Sequence, residues 1–211
     1  MLHSRVSSSL QSAALPLVER ENTTEDMLTA ENKRLHAEVL RLKSQLRDAQ
    51  HVADTDPLLS LYNRRAFMRE VERAQTVSTR YDIESTLIFF DLNGFKAIND
   101  EFGHAIGDSV LEYVGDILQS GVRHCDMVAR LGGDEFGVLL FKSSLDIAKA
   151  KAAALSCRIA EDVVQTQKGP IRISTAWGVS VCDPQKNVET VLAEADKEMY
   201  ETKRQQDAAA N

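Results

Sequence analysis

From Leu28 onward the chain repeats its apolar residues every seven positions. Leu28, Leu35, Leu42 and Ala49 form one series, and Asn32, Val39, Leu46 and Ala53 a second, four places later. A helix turns every 3.6 residues, so a seven-residue repeat marks a seam that drifts slowly around the rod and suits a second helix. Roughly four repeats at 1.5 Å rise per residue predict a rod of about 40 Å. With the first series at d and the second at a, Val39 is a β-branched a residue among d leucines, the arrangement of parallel two-stranded coils. Asn32 falls at an a position, where it can pair with its twin and select register. Glu38 at g and Lys43 at the following e can pair between chains. The same pattern also suits a single amphipathic helix lying on its own domain. The expectation is a coiled-coil dimerisation helix over residues 25–53. Before it, residues 1–24 are rich in Ser, Thr and Glu without periodicity, and a flexible segment is expected.

Past residue 53 the pattern shortens. Asp56-Pro57 predicts a turn or helix start, and Asn63 is placed to cap a helix carrying Phe67, Val71 and Ala74 on one face. Residues 85–90 are an apolar run ending at Asp91, which reads as a buried strand with a carboxylate at its end. Val110, Leu111, Val114, Ile117 and Leu118 follow at helical spacing. Two apolar runs, 127–131 and 136–141, flank Gly132-Gly133-Asp134-Glu135 and predict a β-hairpin. An Ala-rich helix over 147–164, a strand over 171–181 and a last helix over 188–203 complete the chain. The order αβααββαβα describes an α+β domain over residues 54–205, with helices over a mostly antiparallel sheet. Residues 206–211 are expected to form a flexible tail.

Composition narrows the partners. Acidic residues number 32 against 25 Lys and Arg, a formal charge of -7, so a nonspecific polyanion surface has no support and no nucleic acid polymer is expected. Nowhere do about 18 apolar residues run together, and the stretch 10–18 is interrupted by Gln11, Ser12 and Pro16. No membrane partner and a cytoplasmic location are therefore expected. Cys125, Cys157 and Cys182 are odd in number and far apart, which argues against a disulfide framework or a zinc site and predicts small core residues. Trp177, the only tryptophan, falls in an apolar strand and reads as core.

The chemistry gathers at Asp91, Asp134 and Glu135. A carboxylate at a strand end and two on a tight Gly-Gly turn can converge at one sheet edge, and oxygen donors of that kind suit a hard cation such as magnesium together with substrate phosphates. The glycines leave room for a phosphate chain. A merely hydrophilic hairpin turn is the other reading of the same four residues.

The string Arg130-Leu131-Gly132-Gly133-Asp134-Glu135-Phe136 matches the signature of the GGDEF family of diguanylate cyclases. The stretch from Asp91-Leu92-Asn93-Gly94-Phe95-Lys96 through Asn99-Asp100, with Gly103-His104 and Gly107-Asp108, resembles that family's other hallmark. The similarity covers about residues 54–203, from Asp56-Pro57-Leu58 and Asn63-Arg64-Arg65 to Ala195-Asp196, Met199-Tyr200 and Lys203. It implies a palm-like domain of the class III nucleotide-cyclase type that condenses two GTP into cyclic di-GMP and two pyrophosphates. By that likeness two Mg2+ ions per site, with Mn2+ an alternative, are held by Asp91, the carbonyl of Leu92, Asp134 and Glu135.

The resemblance implies further roles. Asp134, or else Glu135, accepts the 3'-hydroxyl proton. Lys96 steadies phosphate charge, and Phe95 with its neighbours offers backbone N–H groups. Asn99 and Asp108 read guanine, although Asp108 also suits an N-cap for the following helix. His104 is a loop positioning residue, Gly132 and Gly133 line the substrate, and Lys203 and Arg204 reach phosphate. Arg123 and Asp126, just upstream of Gly132, match an inhibitory site for the product, with Arg158 a candidate second arginine; His124 between them has no assigned role. Two departures stand out: Leu59-Ser60 replaces a usual Thr-Gly at the junction, and Arg204-Gln205-Gln206 replaces a usual Gly-Arg-Asn after Lys203. A catalytically silent cyclic di-GMP receptor or adaptor is the rival expectation.

Overall fold

The computed structural model describes residues 7–161, 163–166 and 169–210, and divides the chain into two units, residues 1–53 and 54–211. The first unit is one helix, α1 (Ser7–Asp54), which starts upstream of the heptad series and includes most of the segment expected to be irregular. Its leucines Leu28, Leu35, Leu42 and Leu46 and its Val39 are exposed. Glu31 and Glu38 each bind the arginine three residues on, Arg34 and Arg41, at 2.8 and 2.6 Å.

The second unit is built from β1 (Tyr62–Asn63), α2 (Arg64–Tyr81), β2 (Ser85–Leu92), α3 (Phe95–Phe102), α4 (His104–Ser120), β3 (Met127–Gly132), β4 (Glu135–Phe141), α5 (Leu145–Glu161), β5 (Val163–Thr166), β6 (Gly169–Arg172), β7 (Thr175–Val181) and α6 (Val188–Ala210). Five strands form one sheet in the order β1-β3-β4-β2-β7. The short β1 runs parallel to β3, and the other pairings are antiparallel. The α+β expectation holds.

The sheet is covered on both faces. Along β2, Ile88, Phe90 and Leu92 enter a cluster with Val110, Leu111, Val114 and Leu118 of α4 and Ala152, Leu155 and Ile159 of α5. Leu87 and Phe89 point the other way, into a cluster with Phe67 and Val71 of α2 and Val191, Leu192 and Met199 of α6. A strand buried on both faces needs an unbroken apolar run rather than an alternating one. The reading of β2 as a buried strand rests on that run. Trp177 in β7 packs half-buried against the first cluster, as expected.

Several boundaries differ from the sequence reading. The Ala-rich helix stops at Glu161, and the strand expected over 171–181 divides into β6 and β7, with β5 and β6 forming a separate two-stranded hairpin. Val163 and Val164 are β-branched and leave the helix for β5, which suits their stiff side chains. Helix α4 begins at His104, so His104 is helical rather than in a loop, and Asp108 lies inside the helix; the N-cap position is Gly103. Of the cysteines, only Cys182 is buried, where desolvation pushes its thiol up to about 12; Cys125 and Cys157 are exposed. The core expectation therefore fails for two of the three, which sit on a turn and on the outer face of α5.

Candidate active site

The geometry starts from strand parity. Asp91 shares the parity of Leu87 and Phe89, so its carboxylate faces the α2 and α6 side, and β2–β4 register pairs it with Glu135. Two cross-strand partners point to the same face. Asp91 and Glu135 therefore lie side by side at one end of the sheet, and Asp134 on the intervening turn completes the acidic group.

The turn is held by its own strand. Gly133 sits at φ 49, a left-handed conformation that a side chain resists, and its carbonyl accepts from Arg130 Nε at 3.0 Å and Nη2 at 2.9 Å. Arg130 also reaches Asp56 through Nη1 at 3.4 Å. The Asp134 carbonyl accepts from the Leu92 N–H at 3.3 Å, tying the turn to the end of β2.

Burial raises the proton affinity of two of the three acids. Desolvation is the main cause for Asp134, with Asp91 adding to it and Lys203 and Arg130 opposing. Desolvation again leads for Glu135, opposed by Arg64 and increased by Asp196, Asp91 and Asp134. A cleft of about 240 Å³ opens beside Glu135, lined also by Arg64, Phe89, Leu192 and Asp196.

This donor set fits a hard cation. Three carboxylates stand at one sheet end, two of them carry a desolvation cost on ionising, and a divalent ion bound there would offset that cost. They are not drawn together into a chelating cluster: among the described residues no group of three or more His, Cys, Asp or Glu is close enough to hold a metal ion. Lys203 of α6 pairs its ammonium with Asp91 Oδ1. Asp91 is 15% exposed in that pair.

The other expected residues fall on α3 and α4. Phe95 and Lys96 open α3 directly after the turn Asn93-Gly94, which places Lys96 beside the end of β2, with its side chain exposed. Asn99 is half-buried in the second turn of α3 and Asp108 exposed in α4. Gly132 ends β3. Arg204 is exposed on α6 next to Lys203.

Arg123 and Asp126 lie on the turn before β3. The Asp126 carboxylate accepts from the Arg123 N–H at 3.0 Å and the Phe141 N–H at 3.1 Å, so it pins the turn to β4 while the Arg123 side chain stays exposed. Arg158 of α5 donates to Ser120 Oγ at 3.5 Å, at the end of α4 from which that turn departs.

Three residues with no role in the sequence reading emerge: Arg130, which clamps the turn, and Arg64 and Asp196, which set the field at Glu135. Asn63 was the available signal for Arg64, because capping α2 through the Ala66 N–H at 3.0 Å makes Arg64 its first residue. Nothing local marks Arg130 as a turn clamp.

Comparison with known proteins agrees with this architecture. The family profile described as diguanylate cyclase, GGDEF domain, matches residues 53–209, and the chain belongs to that family. It is 34% identical over 161 residues to diguanylate cyclase DgcP of Pseudomonas aeruginosa, covering 76% of this chain and 24% of DgcP. It is likewise 34% identical over 174 residues to diguanylate cyclase TpbB of the same species, covering 78% of this chain and 38% of TpbB. The chain thus spans well under half the length of these two relatives. The coiled coil and GGDEF domain of DgcB from Caulobacter crescentus, solved in complex with c-di-GMP, superposes with a TM-score of 0.74 at 26% identity, covering 84% of this chain and 94% of that one. Among the described residues, no helix is long and apolar enough to cross a membrane.

Proposed function

We propose that this chain is a diguanylate cyclase that acts as a homodimer. The observation that carries the reading is the acidic group at one sheet end, Asp91 paired in register with Glu135 and flanked by Asp134, in a domain of this family. Each copy holds one GTP, with Asn99 and Asp108 on the guanine and Lys96, Lys203 and Arg204 on phosphate. Adenine lacks the N1–H and 2-amino donors of guanine, so a carboxylate such as Asp108, which can accept from both, rejects it.

Asp91, the Leu92 carbonyl, Asp134 and Glu135 would hold Mg2+ or Mn2+, two ions per site. Such ions, when bound, supply charge to the phosphates and favour ionisation of the attacking hydroxyl. Asp134, with Glu135 as the alternative, takes the proton from the ribose 3'-hydroxyl. The oxygen bonds to the α-phosphorus of the partner's GTP, and the bond to pyrophosphate breaks. Done twice across the pair, this gives one cyclic di-GMP and two pyrophosphates. Facing copies are required because one domain holds one substrate.

Product inhibition is part of the proposal. Arg123 extends an exposed guanidinium fork, suited to phosphate and guanine, from a turn that Asp126 braces, and Arg158, which reaches Ser120 at the end of α4, is the candidate second arginine. Incubation with GTP and magnesium followed by chromatography tests both parts. Cyclic di-GMP and pyrophosphate in 1:2 ratio are expected, with added product slowing the wild type and slowing Arg123→Ala much less. Binding of GTP without turnover would overturn the enzyme reading, and equal slowing of both proteins would overturn the inhibitory site.

A further inference from the structure

Helix α4 contains a glycine that its backbone does not require. Gly107 is buried in the first turns of α4, its N–H bonds to the Gly103 carbonyl at 3.2 Å, and it is not among the glycines with positive φ. Alanine is favoured over glycine inside a helix by about 1 kcal/mol through backbone entropy alone. A glycine kept at such a place is explained by space, and the space is occupied. A Cβ on Gly107 would stand 1.9 Å from Asn99 Oδ1, 3.0 Å from Asn99 Cγ and 3.3 Å from Phe95 Cζ.

The Asn99 side chain therefore points end-on, Oδ1 first, into the space that a Cβ on the bare backbone of α4 would fill. The Asn99 carbonyl accepts from the Gly103 N–H at 2.9 Å, which closes the last turn of α3 at the glycine that is also the N-cap of α4. Asp108, the other residue read as a guanine contact, is the next residue after Gly107. We infer that Gly107 is a positioning residue for base recognition: it leaves the notch that seats the Asn99 carboxamide beside Asp108, so the two polar groups face one nucleobase. The inference rests on the reading of Asn99 as a guanine contact.

The steric conflict is with the end of a side chain, not with backbone, so a methyl group at Gly107 moves Asn99 aside rather than breaking the fold. Loss of one well-placed polar contact to a base corresponds to about tenfold in affinity. The test is a double-mutant cycle on binding of a non-reacting GTP analogue with magnesium, with ATP as competitor and a thermal melt for each protein. Gly107→Ala is expected to melt at or above the wild-type temperature, to lose about tenfold in affinity for the analogue and to narrow its preference over ATP. Asn99→Ala is expected to lose a similar factor, and adding Gly107→Ala to it should change nothing further.

Wild-type affinity in Gly107→Ala, or an equal further loss in the Asn99→Ala background, would overturn the inference while leaving Asn99 as a guanine contact. Wild-type affinity in Asn99→Ala would instead overturn that guanine reading, and the inference with it. If Gly107→Ala fails to fold, the double variant must fold again, because removing the carboxamide clears the notch; a double variant that also fails to fold would contradict the proposal.

Discussion

Single residues carry the site's costs. Ser60 stands at a junction position where the family usually has glycine, and it adopts φ 54. Asp56 holds that turn by accepting from the Leu58 and Leu59 N–H groups at 3.0 Å each. A left-handed non-glycine residue is strained by about 1–2 kcal/mol. Ser60→Gly should therefore stabilise the domain by about 0.5–1 kcal/mol in denaturant melts, the gain being reduced by the flexibility of glycine in the unfolded chain. An unchanged or lowered midpoint would show that the strain is not there.

In the proposed reaction, Asp134 and Glu135 set the acid side of the rate profile. Both must be ionised to bind a cation or take a proton, and burial raises their proton affinity. The rate should fall with decreasing pH at higher pH than the ordinary carboxylate range near 4. Stability has the opposite sign: a carboxyl whose folded pKa is raised favours folding below that pKa, and the contribution is lost as pH rises through it. Asp134→Asn should therefore melt higher than wild type at neutral pH, with the difference shrinking in acid, while synthesis is abolished. A lower melt at neutral pH would mean that the ionised Asp134 stabilises the fold.

At the level of elements, what the sequence showed was local. The Asn63 cap, the two-faced apolar run of β2 and the Gly-Gly turn each follow from neighbours in the chain, and each stands as read. The start of α4 was missed because its first residues lack apolar periodicity and Gly103 supplies no side-chain cap. The β5–β6 hairpin was missed because Val163 and Val164 extend the apolar pattern of α5 without a clear stop. Contacts distant in sequence were out of reach: Lys203 meets Asp91 across 112 positions, and Arg130 meets Asp56 across 74. The heptad series on α1 reads in the sequence as the seam of a parallel dimer. Its leucines are exposed, and a second copy is the partner proposed for them. The double variant Leu35→Glu/Leu42→Glu should sediment as a monomer and lose at least about tenfold in synthesis at micromolar protein, because the proposed coil would hold two copies at about millimolar effective concentration. A fully active monomer would contradict that role.

At the scale of the whole molecule, the proposed reaction needs two copies. In the proposed reaction the acidic sheet end, the guanine notch and the phosphate cations of one copy serve a single GTP, whereas the product contains two. On this proposal the reaction has one requirement, that two copies meet face to face with both sites intact. The most direct measurement uses mixed dimers, made by co-expressing differently tagged wild-type and Asp134→Asn chains and purified through both tags in turn. With GTP and magnesium, mixed dimers are predicted to yield at most the linear dinucleotide, with no cyclic di-GMP above background, while wild-type dimers close the ring. Mixed dimers that make cyclic di-GMP at half the wild-type rate or more would show that one intact site suffices, and would contradict the account.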